Sequence, residues 1–107
     1  MLGNRTDVEE VRAQLARQPE LFEQALAVAV NHCLAGNALE GRASLRVLVN
    51  ATIGFEALAA LVGKPAKSLH RMLGPRGNPT LGNFAAILAA LAAETRVRIG
   101  ARVERAD

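Results

Sequence analysis

Residues 54 to 74, GFEALAALVGKPAKSLHRMLG, carry the clearest structural signal in the chain. Two short segments with apolar residues at helical spacing lie on either side of Gly63. Gly63 suits the end of the first helix, and Pro65 suits the start of the second because its φ angle is fixed. Ala59 is small enough to let two helices cross closely. The stretch therefore predicts a helix-turn-helix whose two apolar faces share one core.

Helical patterns continue on both sides of this stretch. They predict helices over residues 7–18, 20–35, 38–50 and 81–93, with a capping box at Thr6 and Glu9 and a break at Pro19. Two of these helices have wide apolar faces that we expect to be buried. In the second helix the face comprises Leu21, Phe22, Ala25, Leu26, Ala29, Val30, Cys33 and Leu34, and in the last helix Leu81, Phe84, Ile87, Leu88 and Leu91.

Length and composition are typical of a single small domain. The chain has 107 residues, of which 50% are hydrophobic and only three are aromatic, and this balance favours helices. We predict an all-α fold of five to six helices, comprising acidic N-terminal helices (1–40), the helix-turn-helix core (41–93) and a C-terminal strand or tail (94–107). No stretch has the pattern of a membrane span or signal peptide, so a cytoplasmic protein is expected.

The C-terminal segment changes period. Val97, Ile99, Ala101 and Val103 alternate with Arg96, Arg98, Gly100 and Arg102, and strict alternation is typical of a strand. No second strand is evident, so such a strand would need a partner from another molecule. The pattern therefore predicts a homodimer through paired C-terminal segments, and a frayed basic tail is the alternative.

Charge is distributed unevenly along the chain. The overall charge is +3, but residues 1–40 carry −3 and the remainder carries +6. No acidic residue lies between Glu56 and Glu94, whereas four basic residues do: Lys64, Lys67, Arg71 and Arg76. A basic region of this kind attracts polyanions, although a solvated basic face on an ordinary domain has the same composition.

The stretch from Gly54 to Leu91 resembles the DNA-binding domain of the Cro/cI-type (XRE-like) repressor family, which has a helix-turn-helix of the lambda-repressor-like type. The similarity includes the helix that ends at Gly63, the recognition segment KSLHRM (67–72), and the loop with Asn78 and Pro79. More narrowly, SLHRMLGPRGNP (68–79) resembles the antidote, or antitoxin, component of bacterial toxin-antitoxin addiction modules. That resemblance implies a dimeric autorepressor of palindromic operator DNA with a ribonuclease-type toxin as partner.

The resemblance also implies roles for individual residues. Lys67 and Arg71, one turn apart, would contact base edges, and His70 a base or a phosphate. Ser68 corresponds to a phosphate-contacting hydroxyl, and Lys64 and Arg76 would contact phosphates on either side. The full DNA-binding set that we predict is Lys64, Ala66, Lys67, Ser68, His70, Arg71, Arg76 and Asn78.

Two positions depart from the family pattern. Phe55 stands where a polar, phosphate-binding residue is usual, and Pro65 stands where Ser or Thr usually caps the recognition helix. These departures bear on one expected phosphate contact and not on the fold. Two alternatives to a DNA-binding antitoxin stay open. The chain could be a stand-alone transcriptional regulator, or a helical protein-interaction module that does not bind DNA.

Catalytic and metal-binding chemistry has no clear place in the sequence. His32 and Cys33 are adjacent, but neighbouring residues on a helix point about 100° apart, and Cys33 falls on the apolar stripe. A single cysteine cannot form an intramolecular disulfide, and no Cys/His cluster has metal-ligand spacing. We therefore expect neither an enzyme nor a cofactor or metal site.

Overall fold

The computed structural model describes residues 5–107, with side chains from residue 8 onward, and this part of the chain is all-α. Its six helices are α1 (Arg5–Arg17), α2 (Pro19–Leu34), α3 (Ala38–Ala51), α4 (Gly54–Val62), α5 (Ala66–Met72) and α6 (Leu81–Thr95). The fold class and the order of the helices predicted from sequence are confirmed. The side chain of Thr6, which we expected to cap α1, lies outside the described residues.

The core joins α3 to the helix-turn-helix formed by α4 and α5. One cluster of buried side chains draws on five helices and the residue after α5. The members with no solvent exposure are Ala29, Leu45, Val49, Leu58, Leu69, Leu73, Ile87 and Leu91. Because α3, α4 and α6 all contribute to this cluster, α5 is held by a core that extends well beyond its own short length.

The turn between α4 and α5 follows from two residues. Gly63 adopts a left-handed conformation (φ 70°), and its N–H donates to the carbonyl of Ala59 over 2.9 Å. Pro65 precedes the first helical residue, and its carbonyl accepts from the N–H groups of Ser68 and Leu69. The chain bends by 104° between α3 and α4. After these turns, α5 has one face in the core and one face in solvent.

Helix α2 packs on α3, and a glycine lies at the point where they come closest. A Cβ atom added at Gly41 would overlap the Sγ of Cys33 and would lie 3.3 Å from the carbonyl oxygen of Ala29. Helix α1 packs against both α2 and α3, and the Arg12 side chain donates to the carbonyl of Asn50. The N-terminal helices therefore cover the side of α3 that the helix-turn-helix leaves free.

Two apolar side chains that we expected to be buried are exposed. Leu81 is 82% exposed and Leu34 is 70% exposed. Leu81 is the first residue of α6 and Leu34 the last of α2, so each lies where its helix has extended past the core. The burial predicted from the apolar stripe is confirmed along the middle of both helices and is wrong at these two ends.

The C-terminal strand predicted from alternation does not form within residues 5–107. Arg96 ends α6 in a left-handed conformation (φ 61°), and the chain after it has no regular secondary structure. Val97 and Ile99 are half-buried against the core, whereas Arg98 and Gly100 are exposed. The alternation thus reflects packing of one side of the segment on the helical body, because this part of the chain offers no strand for pairing.

No single described helix is long and apolar enough to cross a membrane. Helices α3 and α4 reach that length and apolarity only when taken together, across their 104° bend.

Overpacking at Gly41 should destabilise the fold. We expect Gly41→Ala to lower the free energy of unfolding by about 1 to 3 kcal/mol, because the new methyl group meets Cys33 and the α2 backbone. Urea denaturation followed by circular dichroism measures this change.

A matched substitution and a double variant test the cause. Gly82→Ala in α6, where an added Cβ meets only the Thr80 hydroxyl oxygen at 3.9 Å, should stabilise the protein by about 0.5 to 1 kcal/mol. Adding Cys33→Ala to Gly41→Ala should recover stability relative to the sum of the two single changes. Strict additivity would contradict the proposed overlap.

Candidate nucleic-acid interface

Helix α5 has one face in the core and one in solvent. Leu69 is buried, and Ala66 and Met72 are half-buried against the core. The solvent face carries Lys67, His70 and Arg71 as exposed side chains, with Ser68 half-buried beside them. The apolar residues therefore fix the rotation of the helix, and that rotation presents its polar side chains together.

Two open grooves flank the solvent face of α5. The turn-side groove, of about 490 Å³, is lined by residues from the turn, from α5 and from the following loop, including Lys64, Ser68, Arg71, Arg76 and Asn78. The loop-side groove, of about 530 Å³, lies towards α3 and is lined by Arg46, Lys67, His70, Gly74, Pro75, Arg71 and Arg76. Arg71 and Arg76 line both grooves, so the two form one continuous basic surface.

This surface brings together nearly all of the residues predicted from sequence. Lys64, Lys67, Ser68, His70, Arg71, Arg76 and Asn78 each line one or both grooves. Ala66 lines neither groove, because its side chain packs towards the core at the start of α5. Its place is structural, although its backbone lies at the helix end nearest the turn.

The positive charge of this surface is not neutralised by neighbouring acids. Neither groove has an acidic residue in its lining. Among the side chains that the structure describes, one ion pair is present, in the C-terminal segment. It joins the Arg102 guanidinium to the Glu104 carboxylate over 3.5 Å. The exposed cations around α5 are therefore available to an anionic ligand without first breaking an internal ion pair.

Arg42 and Arg46 of α3 have different roles despite their spacing of one helical turn. Arg42 donates from Nε to the carbonyl of Gly74 over 3.0 Å and from its NH2 group to the carbonyl of Pro75 over 3.1 Å. It thereby ties the chain after α5 to α3. Arg46 lines the loop-side groove and adds a cation that was not in the predicted set. A spacing of one helical turn indicates that the two arginines share a face of α3. It does not indicate that this face meets the end of α5.

The loop after α5 is fixed by a glycine. The Gly77 N–H donates to the carbonyl of Gly74 over 3.0 Å, and a Cβ atom at position 77 would overlap the backbone carbonyl of Met72. Only glycine fits so close to the helix backbone. Arg76 and Asn78, on either side of Gly77, are therefore held at defined positions at the edge of the turn-side groove.

The Phe55 ring stacks on the ring of His70. The ring centroids lie 3.8 Å apart with an angle of 21° between the planes, and Phe55 is only 5% exposed. His70 remains exposed, so one face of its imidazole rests on α4 while the rest is open to solvent. Phe55, which departs from the family pattern, thus supports a side chain of α5, a role that a polar residue could not fill in the same way.

Cys33 lies outside this surface, in the contact between α2 and α3. Burial raises the pKa of its thiol, and the nearby Arg42 charge only partly opposes that change. A raised pKa lowers the thiolate fraction at neutral pH and hence the reactivity. Within the described side chains, no three His, Cys, Asp or Glu residues lie close enough together to hold a metal ion.

No known family, characterised protein or solved structure matches this chain.

Removing the Arg42 side chain should destabilise the loop after α5, which borders the basic surface. We expect Arg42→Ala to lower the free energy of unfolding by about 1 to 2 kcal/mol, since two hydrogen bonds from a partly solvent-screened cation are lost. Amide hydrogen exchange should also become faster at Gly74 and Gly77, whose N–H groups are hydrogen-bonded in the segment that Arg42 anchors.

Arg17→Ala, at the exposed end of α1, provides the control. It should change stability by less than about 0.5 kcal/mol. Equal effects of the two substitutions would show that the contacts of Arg42 with the loop contribute no stability.

Proposed function

We propose that this protein is a sequence-specific DNA-binding transcriptional regulator that reads the major groove with α5. The supporting observation is the continuous basic surface around α5, which gathers Lys67, Arg71 and Arg76 without an acidic side chain in its lining. The major groove of B-DNA is wide enough to admit an α-helix, and a helix-turn-helix places its second helix there.

In this arrangement Lys67 and Arg71 are the residues that read bases. Both are exposed and lie one helical turn apart on the solvent face of α5. Both side-chain types pair with the O6 and N7 atoms of guanine. His70, supported by Phe55, lies on the same face and contacts either a base or a phosphate.

The surrounding cations hold the DNA backbone. Lys64 and Ser68 border the turn-side groove, Arg46 borders the loop-side groove, and Arg76 borders both, so cations flank the reading residues in each groove. Contacts of this type go to phosphates and set orientation without reading sequence. Arg46 is an addition to the phosphate-binding set predicted from sequence.

The regulator acts as a dimer on a palindromic operator in the cytoplasm. Dimers of helix-turn-helix proteins bind two half-sites about one helical turn apart, so a two-fold axis in the protein matches one in the DNA. A monomer presents one short reading helix and makes few base contacts. Dimerisation therefore raises the affinity for DNA and lengthens the recognised site to two half-sites.

More narrowly, we propose an antitoxin-like autorepressor whose N-terminal helices contact a basic, ribonuclease-type toxin. The supporting observation is that Glu9, Glu10, Glu20 and Glu23 on α1 and α2 are all exposed. A stand-alone regulator is the alternative within the same class. A neighbouring reading frame for a small basic protein, together with co-purification of that protein, would support the antitoxin; a lone regulator would lack both.

The proposed function is tested by an electrophoretic mobility shift of the DNA just upstream of the gene. A scrambled competitor is included, and the assay is run at about 50 mM and about 200 mM salt. We expect a specific shift that weakens steeply at the higher salt concentration. Protein binding releases the cations condensed on the DNA phosphates, and that release is less favourable when the salt concentration is high. No shift, or equal competition by scrambled DNA, would contradict DNA reading and favour a protein-interaction module.

Substitutions should separate base readers from phosphate binders. Lys67→Ala and Arg71→Ala should each weaken specific binding by about 1 to 3 kcal/mol and relax sequence preference at one operator position. Lys64→Ala, Arg76→Ala and Arg46→Ala should weaken binding to all sequences and reduce the salt slope by about 1.

Arg17→Ala is the matched control for these variants, because α1 packs on α2 and α3 and not on α5. Fluorescence anisotropy with operator and scrambled duplexes at several salt concentrations measures both quantities. If neither Lys67→Ala nor Arg71→Ala reduced specific binding, α5 would not be the reading helix.

A further inference from the structure

A groove lies between α2 and the C-terminal segment, apart from the basic surface around α5. It has a volume of about 640 Å³, a floor formed by Leu26, Val30 and Leu34 of α2, and a wall formed by residues 96–102 and Glu104. Leu34 is 70% exposed, and Val103, next to this wall, is 95% exposed. The fold thus leaves apolar surface uncovered on both sides of the groove.

The wall of this groove has unused backbone hydrogen-bonding groups. The Val97 N–H donates to the carbonyl of Ala92, and from residue 98 to residue 107 no backbone group bonds to another backbone group of the described chain. Its side chains alternate between half-buried and exposed from Thr95 to Gly100, as in a strand packed on one face. A chain with these properties can accept a neighbouring strand.

The sequence of the wall is complementary to itself in one antiparallel register. If two copies pair about a two-fold axis at Ala101, Ile99 lies opposite the partner copy's Val103, and Arg98 lies opposite Glu104. Directly opposed apolar pairs and opposite charges both stabilise an antiparallel pair. The four favourable pairs that result come from only four residues of each chain.

Neighbouring registers are less favourable. An axis at Gly100 pairs Val97 with Val103 and Arg96 with Glu104, but it also places Arg98 opposite Arg102. An axis at Arg102 places that arginine opposite its own copy. An axis between two residues sets Ile99 opposite a charged residue, either Arg102 or Glu104, in place of an apolar one. Of the three registers with an axis at a residue, the one centred on Ala101 is the one that places no two arginines opposite each other.

We infer that two copies of this chain dimerise by antiparallel pairing of residues 97–105 about Ala101, with each segment lying in the other copy's groove over α2. The pairing covers Val103 and Leu34 and satisfies the free backbone groups. This inference deepens the proposed function and rests on it for the expectation of a two-fold dimer, while its tests contain no DNA.

Charge reversal tests the cross-strand pair. Sedimentation equilibrium of the full chain at tens of micromolar should give twice the monomer mass of 11.3 kDa. Arg98→Glu and Glu104→Arg should each weaken dimerisation by roughly tenfold, because both symmetric pairs then repel. The double variant should restore it. Both side chains are exposed, so folding should be unaffected, and circular dichroism checks this.

Cross-linking tests the register. In a Cys33→Ala background, Ala101→Cys should form an intermolecular disulfide readily, since residues on the axis lie within disulfide distance. Arg105→Cys should not, because the two copies of position 105 lie about 27 Å apart in this register. A monomer, insensitivity to both charge reversals, or equal cross-linking at the two positions would overturn the inference. A monomer that still shifts operator DNA would overturn the dimer and leave DNA reading by α5 standing, whereas a dimer without a shift would overturn only the DNA reading.

Discussion

Burial of Leu69 against the core of α3 and α4 is the contact on which the basic surface depends. Helix α5 has seven residues, far fewer than an isolated helix needs to be stable in water. Full burial of one leucine contributes about 1.5 to 3 kcal/mol, and Leu69 and Leu73 are both fully buried. The charged face of α5 therefore exists as an ordered surface only because its opposite face belongs to a core shared with Leu45 and Leu58.

The same division of labour recurs in the residues around α5. The Arg42 guanidinium donates hydrogen bonds to the chain after α5, whereas the Arg46 side chain, one turn later, lines the loop-side groove. Gly77 gives the loop its path, and the side chains on either side of it face the groove. Structural contacts thus use buried or backbone groups, and the exposed charges remain without internal partners, which is the arrangement that a polyanion-binding surface requires.

Much of this fold could be predicted from the sequence because its helices have strong apolar periods and clear end signals. Gly63 ended α4 and Pro65 preceded α5 as the pattern indicated. The errors lie where periodicity no longer reports burial: Leu81 and Leu34 continue an apolar stripe beyond the core. The alternation after Arg96 predicted a strand, but the segment has no regular secondary structure and packs one side on the core, because alternation reports which side is buried and not whether a second strand is present.

Within the candidate site, exposure of the α5 cations could be predicted and the contacts between helices could not. Lys67 and Arg71 followed from the periodicity of one helix. Arg46 required knowing which part of α3 meets the end of α5, and sequence spacing carries no such information. The stacking of Phe55 on His70 was hidden for the same reason, because it joins residues on two helices across a turn.

That stack has a consequence for how the protein can evolve. A different side chain at position 70 would lose the support of this stack unless position 55 changed to suit it. Position 55 also belongs to the core, where a change in volume is felt by the neighbouring side chains. If α5 reads DNA as proposed, a change of base preference at position 70 would therefore proceed by paired substitutions, and positions 55 and 70 should covary among related sequences.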